Sequence, residues 1–196
     1  MGVVLVDSGG ANIGSVRYAL QRLGTDGQIS ADESTIRAAD KVIMPGVGAA
    51  GAGMARLKEN GLERVIPTLT QPVLGICLGM QLMFEGSDED QTQALGVFAG
   101  QARLLPDTPE LRVPHMGWNR LELTKPCPLL KDLTDDSYAY FVHSFALPVG
   151  SDTAAAATHG EAFTAVAWRD NFYATQFHPE RSAQVGANIL KRFLEL

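Results

Sequence analysis

The sequence predicts an α/β protein: a mixed, mostly parallel sheet flanked by helices, with a β extension in the second half. Short apolar runs alternate with stretches of helical period in the first half of the chain. This alternation is typical of strand–helix–strand units, which form parallel sheets with helices on both faces. Around residues 96–105 the hydrophobic period shifts towards two, which indicates additional strands. A chain of 196 residues can fill one core, so we expect a single domain spanning residues 1–196.

The first strand and the first helix are predicted close to the N-terminus. Residues 3–6 are an apolar run, residues 8–11 are a glycine-rich turn, and Asn12 is of a type that caps helices. We expect the helix to stop at Gly24. Apolar residues recur along it at helical spacing: Ile13, Val16, Ala19, Leu20 and Leu23.

Two more strands, around residues 28–30 and 41–44, are separated by a weak helical pattern. Ligands of parallel α/β sheets bind beyond the carboxyl ends of the strands. The junctions that follow Val6, Met44 and Ile76 are therefore the places where chemistry is expected.

The third of these junctions has the pattern of a nucleophile elbow. The apolar run of residues 73–76 breaks at Cys77, which lies between Gly75 and Gly79, and a helical pattern follows. In such a turn the glycines let neighbouring backbone pass closely, and the nucleophile is exposed at the end of the strand. The cysteine also faces the positive end of the helix, which favours its thiolate. The alternative is a small cysteine buried in an apolar strand.

The second junction, residues 45–51, is rich in glycine. Gly46 to Gly51 matches the dinucleotide fingerprint G-x-G-x-x-G, but the next strand ends at Cys77 and not at the acidic residue expected about 20 positions on. We favour a different interpretation, in which the backbone N–H groups of this loop point at a developing oxyanion. A loop whose small residues only allow tight packing is the alternative.

The second half is predicted to extend the sheet. The acidic stretch of residues 85–93 is by default a solvated loop, and a hairpin turn is expected at residues 169–170. Ser182 can cap a final helix, whose apolar face is formed by Val185, Ile189, Phe193 and Leu194. Further strands are expected at residues 121–123, 138–147, 163–168 and 171–177.

The segment of residues 176–180 supplies a candidate base. Pro179 biases His178 towards extended backbone, and side chains two apart in extended chain project to the same side. Glu180 can therefore hold one imidazole nitrogen of His178 and leave the other free to take a proton from a thiol. The four histidines and two cysteines of the chain lack the paired spacings of zinc sites, so we expect no metal.

Residues 114–119 place His115, Met116 and Trp118 in an apparent loop. An exposed group of aromatic and methionine side chains is typical of a contact surface, and a satellite core is the alternative. Farther on, residues 141–144 end an apolar strand with two polar side chains.

Composition excludes several classes of protein. The net charge of −6 and the lack of a Lys/Arg-rich run argue against nucleic-acid binding. Two cysteines, Cys77 and Cys127, argue against a disulfide framework and favour a reducing compartment. The first apolar run ends at Asp7, too early for a signal peptide or a membrane span. We expect a cytoplasmic protein that contacts neither membrane nor nucleic acid.

The elbow of residues 75–81 together with His178-Pro179-Glu180 resembles the class I, or triad, glutamine amidotransferases. Within that family, residues 45–48, 113–119, 140–144 and 176–180 resemble the glutaminase subunits of imidazole glycerol phosphate synthases, and the likeness covers the chain in order. The resemblance implies a flavodoxin-like fold that needs no cofactor. It implies that glutamine is hydrolysed to glutamate and ammonia.

The resemblance also implies a partner. The ammonia would pass to a (βα)₈ cyclase subunit in a heterodimer, for the synthesis of imidazole glycerol phosphate and AICAR in histidine biosynthesis. Two alternatives are kept: a class I glutamine amidotransferase that serves a different synthase, and a nucleotide-binding module resting on residues 46–51.

By the same resemblance, Cys77 would be the nucleophile, His178 the general base and Glu180 the residue that orients it. The oxyanion would be held by the backbone N–H groups of Leu78 and, after a loop rearrangement, Val47. Glutamine would be bound by Gly46, Gly48, Gln81, Glu89, His143, Ser144 and Phe145, with Glu89 at the α-ammonium group. The partner would contact Asn12, Pro114, His115, Met116, Gly117, Trp118, Asn119 and Arg181.

Overall fold

The computed structural model describes residues 2–7, 12–109 and 111–196, so the predicted turn at residues 8–11 lies outside the described residues. Its α-helices are α1 (Ile13–Arg22), α2 (Glu33–Arg37), α3 (Ala50–Glu59), α4 (Leu62–Val65), α5 (Leu78–Met83) and α6 (Ala183–Leu194). Its first strands are β1 (Val3–Val6), β2 (Gly27–Ser30), β3 (Lys41–Gly46), β4 (Val73–Cys77), β5 (Gly86–Ser87), β6 (Thr92–Gln93) and β7 (Gln101–Leu104). The others are β8 (His115–Arg120), β9 (Glu122–Leu123), β10 (Tyr138–His143), β11 (Phe145–Ala146), β12 (Thr153–His159), β13 (Glu161–Arg169) and β14 (Phe172–Thr175).

The main sheet has eight strands in the order β2-β1-β3-β4-β14-β13-β12-β9. Its first five strands run parallel, and β13, β12 and β9 continue it antiparallel, which confirms the predicted mixed sheet. Side chains alternate along each strand, so β1 sends Leu5 into the apolar cluster on one face and Val4 into the cluster on the other. Two smaller sheets, β10-β8 and β11-β7-β5-β6, lie beside it.

Several predicted elements are confirmed by the structure. The first strand spans Val3–Val6, α1 ends before Gly24, and β13 and β14 form a hairpin around Asp170. The apolar face of the last helix also packs as expected, with Ile189 and Phe193 fully buried.

The prediction of a loop at residues 114–119 is wrong. His115–Arg120 is strand β8, which pairs antiparallel with β10. Pro114 and the positive φ of Gly117 hid the strand pattern, because both residue types normally interrupt strands. The solvated loop expected at residues 85–93 is also only partly present, since β5 and β6 form a short antiparallel pair there.

The helix caps differ from the prediction as well. Asn12 and Ser182 occupy the N-cap positions of α1 and α6, yet neither side chain caps its helix. The Ser182 hydroxyl instead accepts a hydrogen bond from the N–H of Tyr140 (2.9 Å) and donates one to the carbonyl of His178 (2.8 Å). This pair of bonds ties the end of the chain to β10, next to the candidate site.

Candidate active site

The junction between β4 and α5 is a sharp turn centred on Cys77. Cys77 has φ +54° and ψ −109°, a conformation that costs an L-residue about 1–3 kcal/mol and persists only where the surroundings enforce it. A Cβ on Gly75 would lie 2.8 Å from the carbonyl oxygen of Gly79, and one on Gly79 would overlap the carbonyl of Met44. Glycine at these two positions lets α5 leave the strand this closely, as an elbow requires.

The thiol of Cys77 lies among polar groups. Its Sγ is 3.8 Å from the side-chain nitrogen of Gln176, which donates to it, and 3.8 Å from the carbonyl oxygen of Val142. It also has a hydrogen bond with the imidazole of His178. The alternative of an inert cysteine within the strand does not fit this arrangement.

His178, Glu180 and Asn12 form a second group of contacts. The Nδ1 atom of His178 lies 2.8 Å from Oε1 of Glu180, and since a carboxylate only accepts, Nδ1 donates. The other nitrogen, Nε2, is thereby left for Cys77. The side-chain amide of Asn12 donates to the same Glu180 oxygen and lies 3.3 Å from Nδ1.

The backbone reaches this arrangement by a route other than the predicted one. His178 itself is extended, but Pro179–Arg181 forms a 3₁₀ turn. This turn brings the fully buried Glu180 side chain back under the imidazole, so the extended-chain argument gives the right contact for the wrong reason.

The surroundings of His178 favour its charged form. Burial opposes the charge and lowers the pKa, but the hydrogen bonds and charges of Cys77 and Glu180 outweigh it and raise the pKa to about 10. An imidazolium next to the thiol is therefore the stable form of this pair at neutral pH.

A cavity of about 330 Å³ opens beside Cys77, a volume near the lower limit of ligand pockets. It is lined by Val47, Gly48, Cys77, Leu78, Gln81, Glu89, Pro114, Val142, His143, Ser144, Phe145 and His178. Of the residues predicted to bind glutamine, Gly46 is absent from this lining. It lies in β3 with Cys77 as its neighbour in register, and a Cβ there would press on the backbone of Gly79.

Polar contacts fix several walls of the cavity. The amide nitrogen of Gln81 donates to the carbonyl of Phe145 (2.8 Å) and to Oε1 of Gln176 (3.0 Å). The Glu89 carboxylate accepts a hydrogen bond from the N–H of Ala50 (2.7 Å) at the start of α3. Gln176 was assigned no role from the sequence, although a fully buried amide between apolar strand residues signals a polar site.

A second cavity, of about 320 Å³, is lined by Asn12, Ser15, Val47, Val142, His178 and Arg181. It shares Val47, Val142 and His178 with the first, so these side chains stand between the two cavities.

The strand β8 has two different faces. Met116 and Trp118 are 63% and 53% exposed, and Trp118 makes an edge contact with Tyr140 at a ring distance of 6.0 Å. The core alternative for Trp118 is therefore wrong. His115 is also not at the surface as predicted, because strand alternation turns it and Asn119 to the opposite face, where His115 is buried.

Comparison with known proteins identifies the family. The family model described as glutamine amidotransferase class-I matches residues 4–196. The chain belongs to the class-I glutamine amidotransferases.

Two relatives of this amidotransferase are proteins named imidazole glycerol phosphate synthase subunit HisH, from Xylella fastidiosa strain Temecula1 and from Xanthomonas euvesicatoria. Each is 50% identical over 194 residues, which cover 99% of this chain and 97% of the relative.

Two solved structures share the fold of this amidotransferase. One, from Thermoplasma acidophilum, is described as a protein of GMP synthase; its TM-score is 0.76 at 21% identity, over 100% of this chain and 92% of that one. The other, described as a glutamine amidotransferase, has a TM-score of 0.76 at 18% identity over 99% and 98% of the two chains. In the part of this amidotransferase that the structure describes, no cluster of His, Cys, Asp and Glu could hold a metal ion and no helix could span a membrane.

Proposed function

We propose that the chain is the glutaminase subunit of an imidazole glycerol phosphate synthase, and that residues 1–196 form one cytoplasmic amidotransferase domain. The observation that carries the proposal is Cys77 on its strained turn, in contact with an imidazole that Glu180 holds, at the wall of a cavity of about 330 Å³. The likeness to subunits of that synthase at 50% identity supports this choice of pathway over other class-I amidotransferases.

The chemistry begins with the thiolate of Cys77, which attacks the side-chain amide carbon of glutamine. The imidazolium of His178 gives its Nε2 proton to the departing nitrogen, so that ammonia leaves and a thioester forms. Neutral His178 then takes a proton from water, which attacks the thioester and releases glutamate. Glu180 holds Nδ1 throughout, so Nε2 faces the reacting atoms in both steps.

The oxyanion of each tetrahedral intermediate needs donors that are already in place. Leu78 is the first residue of α5, so its N–H has no acceptor within the helix and is available. Val47 lines the same cavity, and the next residue, Gly48, has φ +99°, a conformation that favours glycine. We assign the second donor to Val47, which turns its N–H inward when the neighbouring peptide rotates.

The amino-acid end of glutamine is assigned to Glu89. Its carboxylate accepts one N–H from α3, and a carboxylate has about four lone-pair sites, so acceptor capacity is left for an α-ammonium group. Gln81, His143, Ser144 and Phe145 complete the wall on the other side.

The cyclase partner is assigned to the exposed face of the β8–β10 pair. Met116, Trp118 and Tyr138 lie there with large exposed apolar surfaces, and Arg181 is exposed at the second cavity. A partner that covers this region would keep water from ammonia released at Cys77. Glycine-rich residues 45–48 stand between the two cavities, where a bound partner can act on Val47.

The direct test is a glutaminase assay of the purified chain, in isolation and with the cyclase subunit of its own organism and the ribonucleotide substrate of that cyclase. We expect slow hydrolysis by the isolated chain and hydrolysis stimulated at least about 10²-fold in the complex, the value of one oxyanion donor. Absence of glutaminase activity in a complex that still uses free ammonia would contradict the proposal.

The partner surface is tested with two tryptophan variants. Trp118→Ala should weaken the complex by about 2 kcal/mol or more, since interface tryptophans are frequent hot spots, while the melting temperature changes little. The matched control is Trp168→Ala, which removes a half-buried ring stacked on Tyr173 and should lower stability without changing affinity. Normal affinity of the Trp118→Ala protein would move the interface elsewhere.

A further inference from the structure

The inner face of the β8–β10 pair carries a chain of polar side chains inside an otherwise aromatic cluster. His115 is opposite His143 in the register of the two strands, and both rings are buried. His115 stacks on Phe141 and His159, at ring distances of 5.1 and 4.3 Å. A phenylalanine would pack here equally well, and burying a polar ring is costly unless its nitrogens are bonded.

Each nitrogen in this chain has a partner, and the partners determine the position of every proton. Nδ1 of His143 lies 2.9 Å from the carbonyl of Phe145, which can only accept, so Nδ1 carries the proton. Nε2 of His143 is then an acceptor for Nδ1 of His115 (3.1 Å). Nε2 of His115 is in turn an acceptor for the amide of Asn119 (3.3 Å), which also donates to the carbonyl of Thr158 (2.8 Å).

Both rings are held neutral, which this one-directional chain requires. Burial lowers the pKa of His143 to about 3 and that of His115 to about 4, and the nearby histidines lower them further. The carbonyl of Phe145 is also the acceptor for Gln81, whose amide continues through Gln176 to the thiol of Cys77. The polar chain therefore runs from Asn119 to the cavity wall and on to the reactive sulfur.

We propose that His115 is a positioning residue of the glutaminase reaction, acting through His143 on the backbone of residues 143–145 that lines the glutamine cavity. The inference rests on the proposed function. The N–H of His115 fixes the tautomer and the ring orientation of His143, and that ring fixes the Phe145 carbonyl from one side while Gln81 fixes it from the other. Without the donor, Nε2 of His143 is buried and unpaired, and the ring rotates or changes its tautomer.

Two substitutions at one position test the proposal in the complex with the cyclase subunit. His115→Phe keeps the stacking and removes the donor, whereas His115→Asn keeps a donor nitrogen close to the position of Nδ1. We expect kcat/KM for glutamine to fall by roughly 10- to 100-fold in His115→Phe, mainly through KM, since displacements of about 1 Å have effects of this size. His115→Asn should recover most of the loss. Synthesis from free ammonia should be unchanged in both.

Melting temperatures of both variants separate positioning from mere packing. If His115→Phe keeps the wild-type KM, or if His115→Asn is as impaired as His115→Phe, the proposal is wrong. A wild-type complex that lacks glutaminase activity while it still uses ammonia would overturn the proposed function instead. The two failures are therefore distinguishable in one set of assays.

Discussion

Cys77 and Cys127 have similar local positions and very different surroundings. Each immediately precedes a helix, Cys77 before α5 and Cys127 before a 3₁₀ turn at Pro128–Leu130, and they are 7% and 6% exposed. Burial, the larger effect at Cys127, raises its pKa to about 11 although the backbone N–H groups of Leu129 and Leu130 act in the opposite direction. Cys77 has in addition a cavity and the imidazole of His178.

The difference shows that a helix N-terminus does not by itself make a cysteine reactive. Our argument from the sequence, that Cys77 faces the positive end of a helix, applies to Cys127 with equal force and selects neither. The charged base and the open cavity distinguish the two sites, and both come from residues far from Cys77 in sequence. Substitutions at the two cysteines and around Cys77 can sharpen or break this comparison.

The largest effect is expected from exchanging the thiols themselves. Cys77→Ala should lower glutaminase turnover on the order of 10⁶-fold, as removal of a catalytic nucleophile does, while ammonia-dependent synthesis by the complex continues. Cys127→Ala is the matched control and should keep wild-type turnover. Comparable losses in both variants would mean that the comparison has no catalytic content.

The next effect concerns the base that Cys127 lacks. His178→Ala should lower glutaminase turnover by about 10² to 10⁴-fold, because no group is left to protonate the departing ammonia and to activate water. Alkylation of Cys77 by iodoacetamide, followed by mass spectrometry, should slow in the same variant, while Cys127 stays unlabelled in the folded protein. Unchanged labelling of Cys77 would assign its reactivity to another group.

A smaller effect is expected at the assigned oxyanion donor. Val47→Pro removes the N–H and should lower partner-stimulated turnover by about 10² to 10³-fold, with glutamine KM little changed. Val47→Ala keeps the N–H and serves as the control, with near-normal turnover expected. Equal behaviour of the two variants would exclude Val47 as the donor.

The smallest effect separates the two cysteines by sign. Cys77 has a positive φ that only glycine adopts freely, so Cys77→Gly should be more stable than Cys77→Ala by about 1 kcal/mol. Cys127 has φ −146°, ordinary extended backbone, so Cys127→Gly should be less stable than Cys127→Ala by about 1 kcal/mol. Urea unfolding of the four variants measures both differences. The same sign at both positions would show that the turn at Cys77 stores no strain.

Local patterns in the sequence were enough for much of the fold. The run into Cys77 and the glycines around it predict a strand, a turn and a helix because the signal lies within a few residues. Strand β12 (Thr153–His159) was missed, because its four consecutive alanines have little β preference and are placed by packing between β13 and β9. Strand β8 was missed because Pro114 and Gly117 interrupt its pattern.

The site was predictable where residue type determines chemistry and unpredictable where distant contacts determine it. The pairing of His178 with Glu180 followed from their spacing, although the turn between them did not. Asn12 has the side chain of a helix cap, yet it donates to Glu180, 168 residues away. Likewise, no local signal shows that His115 faces inward, because this depends on its register with β10.

The place of β14 in the sheet has a consequence for synthesis of the protein. The last strand of the chain to be made lies in the middle of the main sheet, between β4 and β13, and it is followed directly by His178 and Glu180. A nascent chain that ends near residue 170 has an exposed edge on β4 and no base beside its thiol, so glutamine hydrolysis by such truncated chains should be undetectable. The ribosome must therefore deliver nearly the whole polypeptide before any ammonia is produced, and interrupted translation cannot spill it into the cell.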